Sequence, residues 1–137
     1  MSAANVEILK RMNAAFNSHD VDGYMATIAP EPRWHTITGP LDMATFEPRS
    51  RAEVEAVVAH WEEAFDEFTA EVEEYIDEGD WVICRTTWQG RGRGSGMPIE
   101  MHTFDAYEIS EGMIVTAYAG CPTLEAAREA IAGASRS

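Results

Sequence analysis

The 137-residue chain predicts an α+β domain: three helices in its N-terminal half packed on a strongly curved, mostly antiparallel sheet, with a short C-terminal helix. Three observations carry this. Apolar residues recur at spacings of three and four through the first third, as on helices with one buried face. Residues 68–120 then alternate with period two in long runs broken by short turns, as in half-buried antiparallel strands. Finally, strands this long with so few helices to cover them must curl to bury one face.

In order, residues 3–17 put Val6, Leu9, Met12 and Phe16 on one stripe, with Lys10, Arg11, Asn13 and Asn17 on the wet side. Ser18 or Asp20 caps a second short helix whose inner face is Val21, Tyr24, Met25 and Ile28. Pro30 and Pro32 are expected to end it, since proline lacks a backbone donor. A β-rich run, residues 33–38, forms a short strand up to Gly39-Pro40. Residues 41–49 are irregular and suit a flap over one end of a pocket. Ser50-Arg-Ala-Glu53 has the form of a capping box, and Val54, Val57, Val58, Trp61 and Phe65 make the stripe of the helix that follows.

Strands are expected at residues 68–77 and 81–89, the second with Val82, Cys84, Thr86 and Trp88 on one face. Glu74 falls on the apolar parity of the first, which in so acidic a segment points to a bulge or a wet strand end. GRGRGSG reads as a mobile hairpin loop. Residues 101–120 form two long strands about the turn Ser110-Glu111-Gly112. Thr123 caps a last helix over residues 123–132, with Gly133 as its stop.

One residue breaks the pattern in the longest hairpin. If Met101, Thr103 and Tyr107 face inward, so does Asp105, a carboxylate in mid-strand where β-branched or aromatic residues are favoured. Burying it is costly unless it is paired, protonated or facing a cavity. In an apolar pocket its pKa rises, and it becomes a proton shuttle useful near neutral pH. His35 or Thr36, according to strand parity, would stand on the neighbouring wall, and a His35–Asp105 pair could divide acid and base duties. The cavity wall is expected from Met12, Phe16, Tyr24, Trp34, Thr36, Trp61, Thr86, Trp88, Met101, Thr103, Tyr107 and Tyr118. Against this stand the ordinary alternatives. Asp105 could be hydrogen-bonded for structure alone, His35 a surface or dimer residue, and the tryptophans and methionines plain core. His19 and His60 are expected at the surface or at helix ends, and His102 outward or at an interface.

Phe-Asp-Ala-Tyr-Glu-Ile-Ser-Glu-Gly-Met-Ile-Val and, upstream, Phe-Asn-Ser-His-Asp-Val-Asp-Gly-Tyr resemble two segments of the NTF2-like superfamily, which includes SnoaL-like polyketide cyclases and ketosteroid isomerases. The resemblance spans nearly the whole chain and is weakest over residues 41–49. It implies a cone-shaped NTF2-like (cystatin-like) fold with an internal pocket, an acid or base at Asp105, and a homodimer through the outer sheet face near His102, Phe104 and Ala106. Ketosteroid isomerases combine a tyrosine, a base and an acid at positions that here carry Met12, Thr36 and Asp105. Only the last matches, which argues against steroid isomerisation by that route. The resemblance implies instead a cofactor-independent acid/base enzyme of cyclase or isomerase type, acting on a small apolar carbonyl or polyketide-like compound. The alternative is a non-catalytic small-ligand-binding or dimerisation module.

The chain is sized for a single domain over residues 1–137. Its 24 acidic and 10 basic side chains give a net charge of −14, which disfavours nucleic acid and anionic membranes as partners. Neither a membrane span nor a secretory leader is legible, so a cytoplasmic location is expected. Cys84 and Cys121 have no metal-ligand spacing, and neither metal nor cofactor is expected.

Overall fold

The computed structural model describes residues 2–36 and 50–136; the irregular 41–49 segment and the end of the first predicted strand lie outside them. The elements are α1 (Ser2–Asn17), α2 (Val21–Met25), β1 (Ile28–Thr36), α3 (Arg51–Ala64), β2 (Phe65–Glu78), β3 (Trp81–Gly92), β4 (Pro98–Ser110), β5 (Met113–Cys121) and α4 (Leu124–Arg136). One five-stranded sheet runs β1-β5-β4-β3-β2, antiparallel except for the parallel β1–β5 pair.

The two faces of the sheet bury different things. On one, Val82, Cys84, Tyr107, Ile109 and Ala117 meet Ile8, Leu9 and Met12 of α1, Tyr24 and Met25 of α2, and Val54 and Val58 of α3. On the other, Trp81, Ile83, Ala106 and Cys121 pack beneath α4. Period-two alternation therefore divides one strand between two cores, and a one-residue slip would exchange them.

Local chemistry explains most element ends. α1 stops where His19 turns left-handed (φ 60°), and the Asp20 carboxylate accepts from Gly23 N–H at 3.0 Å to start α2. The Ser50 hydroxyl accepts from Glu53 N–H at 3.2 Å and lies 3.3 Å from the Glu53 carboxylate, as the capping box predicts. Glu111 and Gly112, both left-handed (φ 52° and 77°), make the tight hairpin between β4 and β5. Glu74 is explained by a register shift between Val72 and Glu74, which turns its carboxylate out to Arg85 at 3.4 Å.

Four expectations are corrected. Pro30 and Pro32 do not close a helix over Ile28 but sit within β1. That is an edge strand whose register against β5 jumps between Ile28 and Arg33, so few ladder donors are asked of it. Gly133 does not stop α4, which continues to Arg136. The glycine-rich hairpin is tethered rather than loose: Arg93 donates from its backbone N–H to the Ala64 carbonyl (2.9 Å) and from Nε to the Glu62 carbonyl (3.0 Å), and pairs with Asp66 at 2.5 Å. Asn13, placed on the wet side, is instead half-buried against the sheet, whereas Asn17 stays exposed as expected and exchanges two 2.8 Å hydrogen bonds with the backbone of Ala70, standing in for a strand partner at the bulge between Asp66 and Thr69.

Candidate functional site

Asp105 projects from the inner face of β4 and is 1% exposed. Its position follows from the alternation that buries Thr103, Tyr107 and Ile109 on the same side, and its partners come from the two neighbouring strands. On β5, a register irregularity opposite Phe104 and Ala106 inserts an extra residue, and Gly120, left-handed at φ 82°, turns its N–H to Asp105 Oδ1 at 2.7 Å. On β4, the Thr103 hydroxyl donates to Oδ2 at 3.2 Å and accepts from Trp88 Nε1–H at 2.8 Å. The Thr86 hydroxyl on β3 is within reach of both the Cys84 carbonyl, at 3.3 Å, and Asp105. One hydrogen serves one acceptor at a time, and the carboxylate is the stronger of the two.

These donors favour the ionised carboxylate, whereas loss of water disfavours it. Desolvation wins. It raises the Asp105 pKa from 3.8 to about 6, with the Gly120, Thr86 and Thr103 hydrogen bonds pulling the other way. Burial first, and the nearby Asp105 charge second, push Tyr24, Tyr107 and the Cys84 thiol up, so all three stay protonated at neutral pH. Tyr24 and Tyr107 are 7% and 5% exposed, and neither hydroxyl has a hydrogen-bond partner among the described residues. Buried hydroxyls rarely stay unmatched.

In front of Asp105 lies an inner chamber of about 30 Å³, walled by Met12, Phe16, Tyr24, Thr86, Trp88 and Tyr107 and completed by Leu9, Asn13, Ala70, Val72 and Cys84. That volume suits a water molecule or two, or one small functional group. Phe16 and Tyr24 also line an outer chamber of about 300 Å³, together with Phe65 and Phe68 from the start of β2. An aromatic belt joins the two: Phe16 meets Trp88 edge-on at 5.6 Å, Phe68 stacks on Trp88 at 5.7 Å, and Phe65 on Phe68 at 5.0 Å.

The structure brings together Asp105, Met12, Phe16, Tyr24, Thr86, Trp88 and Tyr107 of the predicted residues, with Thr103 in the hydrogen-bond chain. Trp34 packs behind Tyr107, 6.1 Å between ring centres. Met101 is half-buried opposite Trp88 and lines neither chamber. His35 and Tyr118 are on the wrong face. Because Trp34 takes the inner side, His35 stacks on Tyr118 at 4.7 Å and Tyr118 on Trp81 at 5.8 Å, in the layer beneath α4, so no His35–Asp105 pair forms. The side chains of Thr36 and Trp61 lie outside what is described. His19 and His102 are exposed, as expected, at 3.2 Å from Glu62 and 2.9 Å from Glu100. Among the described residues no group of three potential ligands could hold a metal ion, and no helix is long and apolar enough to cross a membrane.

Sequence reasoning missed Gly120, although a lone glycine inside a strand pattern is the ordinary mark of a bulge or close approach. It also missed the outer chamber, because His19, Phe65, Phe68 and Arg93 come from separate turns and strand ends and share no periodicity.

Residues 9–117 match the SnoaL-like domain family. No curated protein sequence matches the chain significantly. Among solved structures, an NTF2-like protein from Burkholderia thailandensis is 29% identical, with TM-score 0.72 over 82% of this chain and 85% of that one. IdmH from Streptomyces antibioticus, provisionally assigned as a polyketide cyclase, is 24% identical, with TM-score 0.69 over 82% and 88%. A protein of ketosteroid isomerase-like fold from Catenulispora acidiphila, solved with trimethylamine, is 12% identical, with TM-score 0.72 over 82% of each chain. The buried strand carboxylate, the two chambers and the α+β cone are thus those of a chain that belongs to the SnoaL-like domain family and has the NTF2-like, ketosteroid isomerase-like fold.

Proposed function

We propose that this protein is a cofactor-independent acid/base enzyme of cyclase or isomerase type that moves a proton on a small, largely apolar carbonyl compound, with Asp105 as the base. The observation that carries the reading is a fully buried carboxylate, held by three donors, at the blind end of an aromatic cavity. With its pKa raised to about 6, Asp105 is mostly ionised at pH 7, yet basic enough to take a proton from carbon beside a carbonyl. The charge that develops on the carbonyl oxygen then needs a donor in a dry site. Tyr24 and Tyr107 supply two hydroxyls that have no partner among the described residues, replacing the tyrosine that the chain lacks at Met12. The protonated Asp105 returns its proton to another atom of the enolate, or, where the enolate carbon closes a ring by attacking a second carbonyl, to the alkoxide that this forms, which restores the carboxylate.

Two features of the relatives fit this reading: the SnoaL-like family match and the fold shared with IdmH. The test is Asp105→Asn, which keeps the shape and removes the titration. On a substrate identified by screening aromatic and polyketide-like carbonyl compounds, kcat is expected to fall at least about 100-fold, and wild-type kcat/KM to rise with pH through a midpoint near 6 to a plateau. Full activity in the Asn variant sinks the assignment.

A homodimer through the outer sheet face belongs to the same reading, with one restriction. Ala106 is fully buried, and Phe104 packs in the same cluster beneath α4, so the contact must use the part left open around His102, Arg85 and Thr87. Sedimentation equilibrium is expected to give twice the 15.2 kDa chain mass.

A further inference from the structure

We infer that the outer chamber binds an alkylammonium group, so that the otherwise apolar carbonyl compound entering this site carries a cationic end that stays in the outer chamber while its carbonyl reaches the inner one. The inference rests on the acid/base reading only for where the carbonyl goes; the cation site stands on its own observations.

The floor of the chamber is aromatic: Phe16, Tyr24, Phe65 and Phe68 line about 300 Å³ of space, with Phe68 stacked against both Phe65 and Trp88. Aromatic rings carry negative charge on their faces and attract alkylated ammonium groups, which shed water readily. The rim is acidic. Asp20, Glu62 and Glu67 line it against one guanidinium, that of Arg93, and one imidazole, that of His19. Arg93 offers an anion little, because Asp66 takes its charge at 2.5 Å and the Glu62 carbonyl takes its Nε–H. His19, a cation only when protonated, lies 3.2 Å from the Glu62 carboxylate. Asp20 uses one oxygen to cap α2, and Glu67 is loosely opposed by Arg91 at 3.9 Å.

One further observation points to a ligand. Tyr24, more than nine-tenths buried, lines both chambers and has a hydroxyl without a partner among the described residues. A molecule with an ammonium group at the rim and an oxygen further in satisfies the rings, the carboxylates and this hydroxyl together. Anions are disfavoured at the mouth and by the net charge of −14.

The experiment is an NMR titration of the whole chain with choline and with its uncharged carbon analogue, 3,3-dimethylbutan-1-ol. Choline is expected to bind at least about fivefold tighter than the alcohol, with shifts at Phe65, Phe68 and Glu67. Its affinity is expected to drop at least about threefold in Glu67→Gln with Glu62→Gln, and in 0.5 M salt. Asp105→Asn is expected to leave choline binding in place. Equal affinity for the alcohol, choline affinity insensitive to both the double variant and salt, or loss of choline binding in Asp105→Asn alone would each overturn the assignment. Selective choline binding alongside a fully active Asp105→Asn enzyme would sink the acid/base reading and leave the cation site standing.

Discussion

Asp105 shows how a single residue answers opposing demands. Its donors are those of a carboxylate kept charged, while its surroundings are those of one kept neutral, and desolvation sets the result at about 6. Stability is linked to this. With the folded pKa near 6 and the unfolded value near 3.8, the native state holds more protons than the unfolded chain between those pH values. Stability from this group is therefore greatest below about pH 4, declines as pH rises to about 6, and stays lower above it. The difference is on the order of 3 kcal/mol for a shift of this size. Since the other acids also titrate, the check is a difference: urea unfolding of wild type and Asp105→Asn at pH 5 and pH 8. The Asn variant is expected to gain stability relative to wild type between the two pH values, by about 1 to 3 kcal/mol. A gap that does not change with pH would mean an ordinary carboxyl pKa.

Asp105 was legible because it interrupts an alternation, and its direction followed from parity alone. His35 was misjudged for the same physical reason. Parity in β1 depends on how its two prolines and irregular pairing with β5 fix the register, and a period-two pattern cannot supply that in a strand with an interruption.

At the scale of elements, the site depends on irregularities more than on regular structure. The β5 irregularity brings Gly120 N–H to Asp105, and the β2 bulge puts Glu67 at the rim of the outer chamber while Asn17 supplies the bonds that β2 would otherwise lack. Asn17→Ala removes a donor and an acceptor from a half-buried strand and leaves the Ala70 backbone unpaired. It is expected to cost about 1 to 3 kcal/mol in urea unfolding, with faster exchange of the Ala70 amide. No loss of stability would mean that water replaces the side chain freely. Helix stripes, the capping box, the tight hairpin and the Glu74 bulge could be read from spacing and turn chemistry. The Asn17 contact could not, because it joins residues 53 apart.

For the whole molecule, charge is the dominant feature. A net −14 on 15.2 kDa opposes compaction, and the described ion pairs are mostly at exposed side chains, which contribute little each. Raising NaCl from 20 to 500 mM at pH 8 is expected to increase Tm by several degrees, because screening relieves repulsion among acids faster than it weakens the pairs. A fall in Tm would mean that the pairs dominate.

By itself the sequence determined the order of helices and strands, the α+β class, the inner-face parity of β3 and β4, and hence that one carboxylate would be buried. These follow from local periodicity and from the cost of hiding a charge. Tertiary structure alone decided what that carboxylate faces: which strand donors hold it, that His35 stands on the other side of the sheet, and that the space splits into a small inner and a larger outer chamber. Those outcomes depend on strand register and on contacts between distant segments, and register is fixed only when both faces of the sheet find their cores.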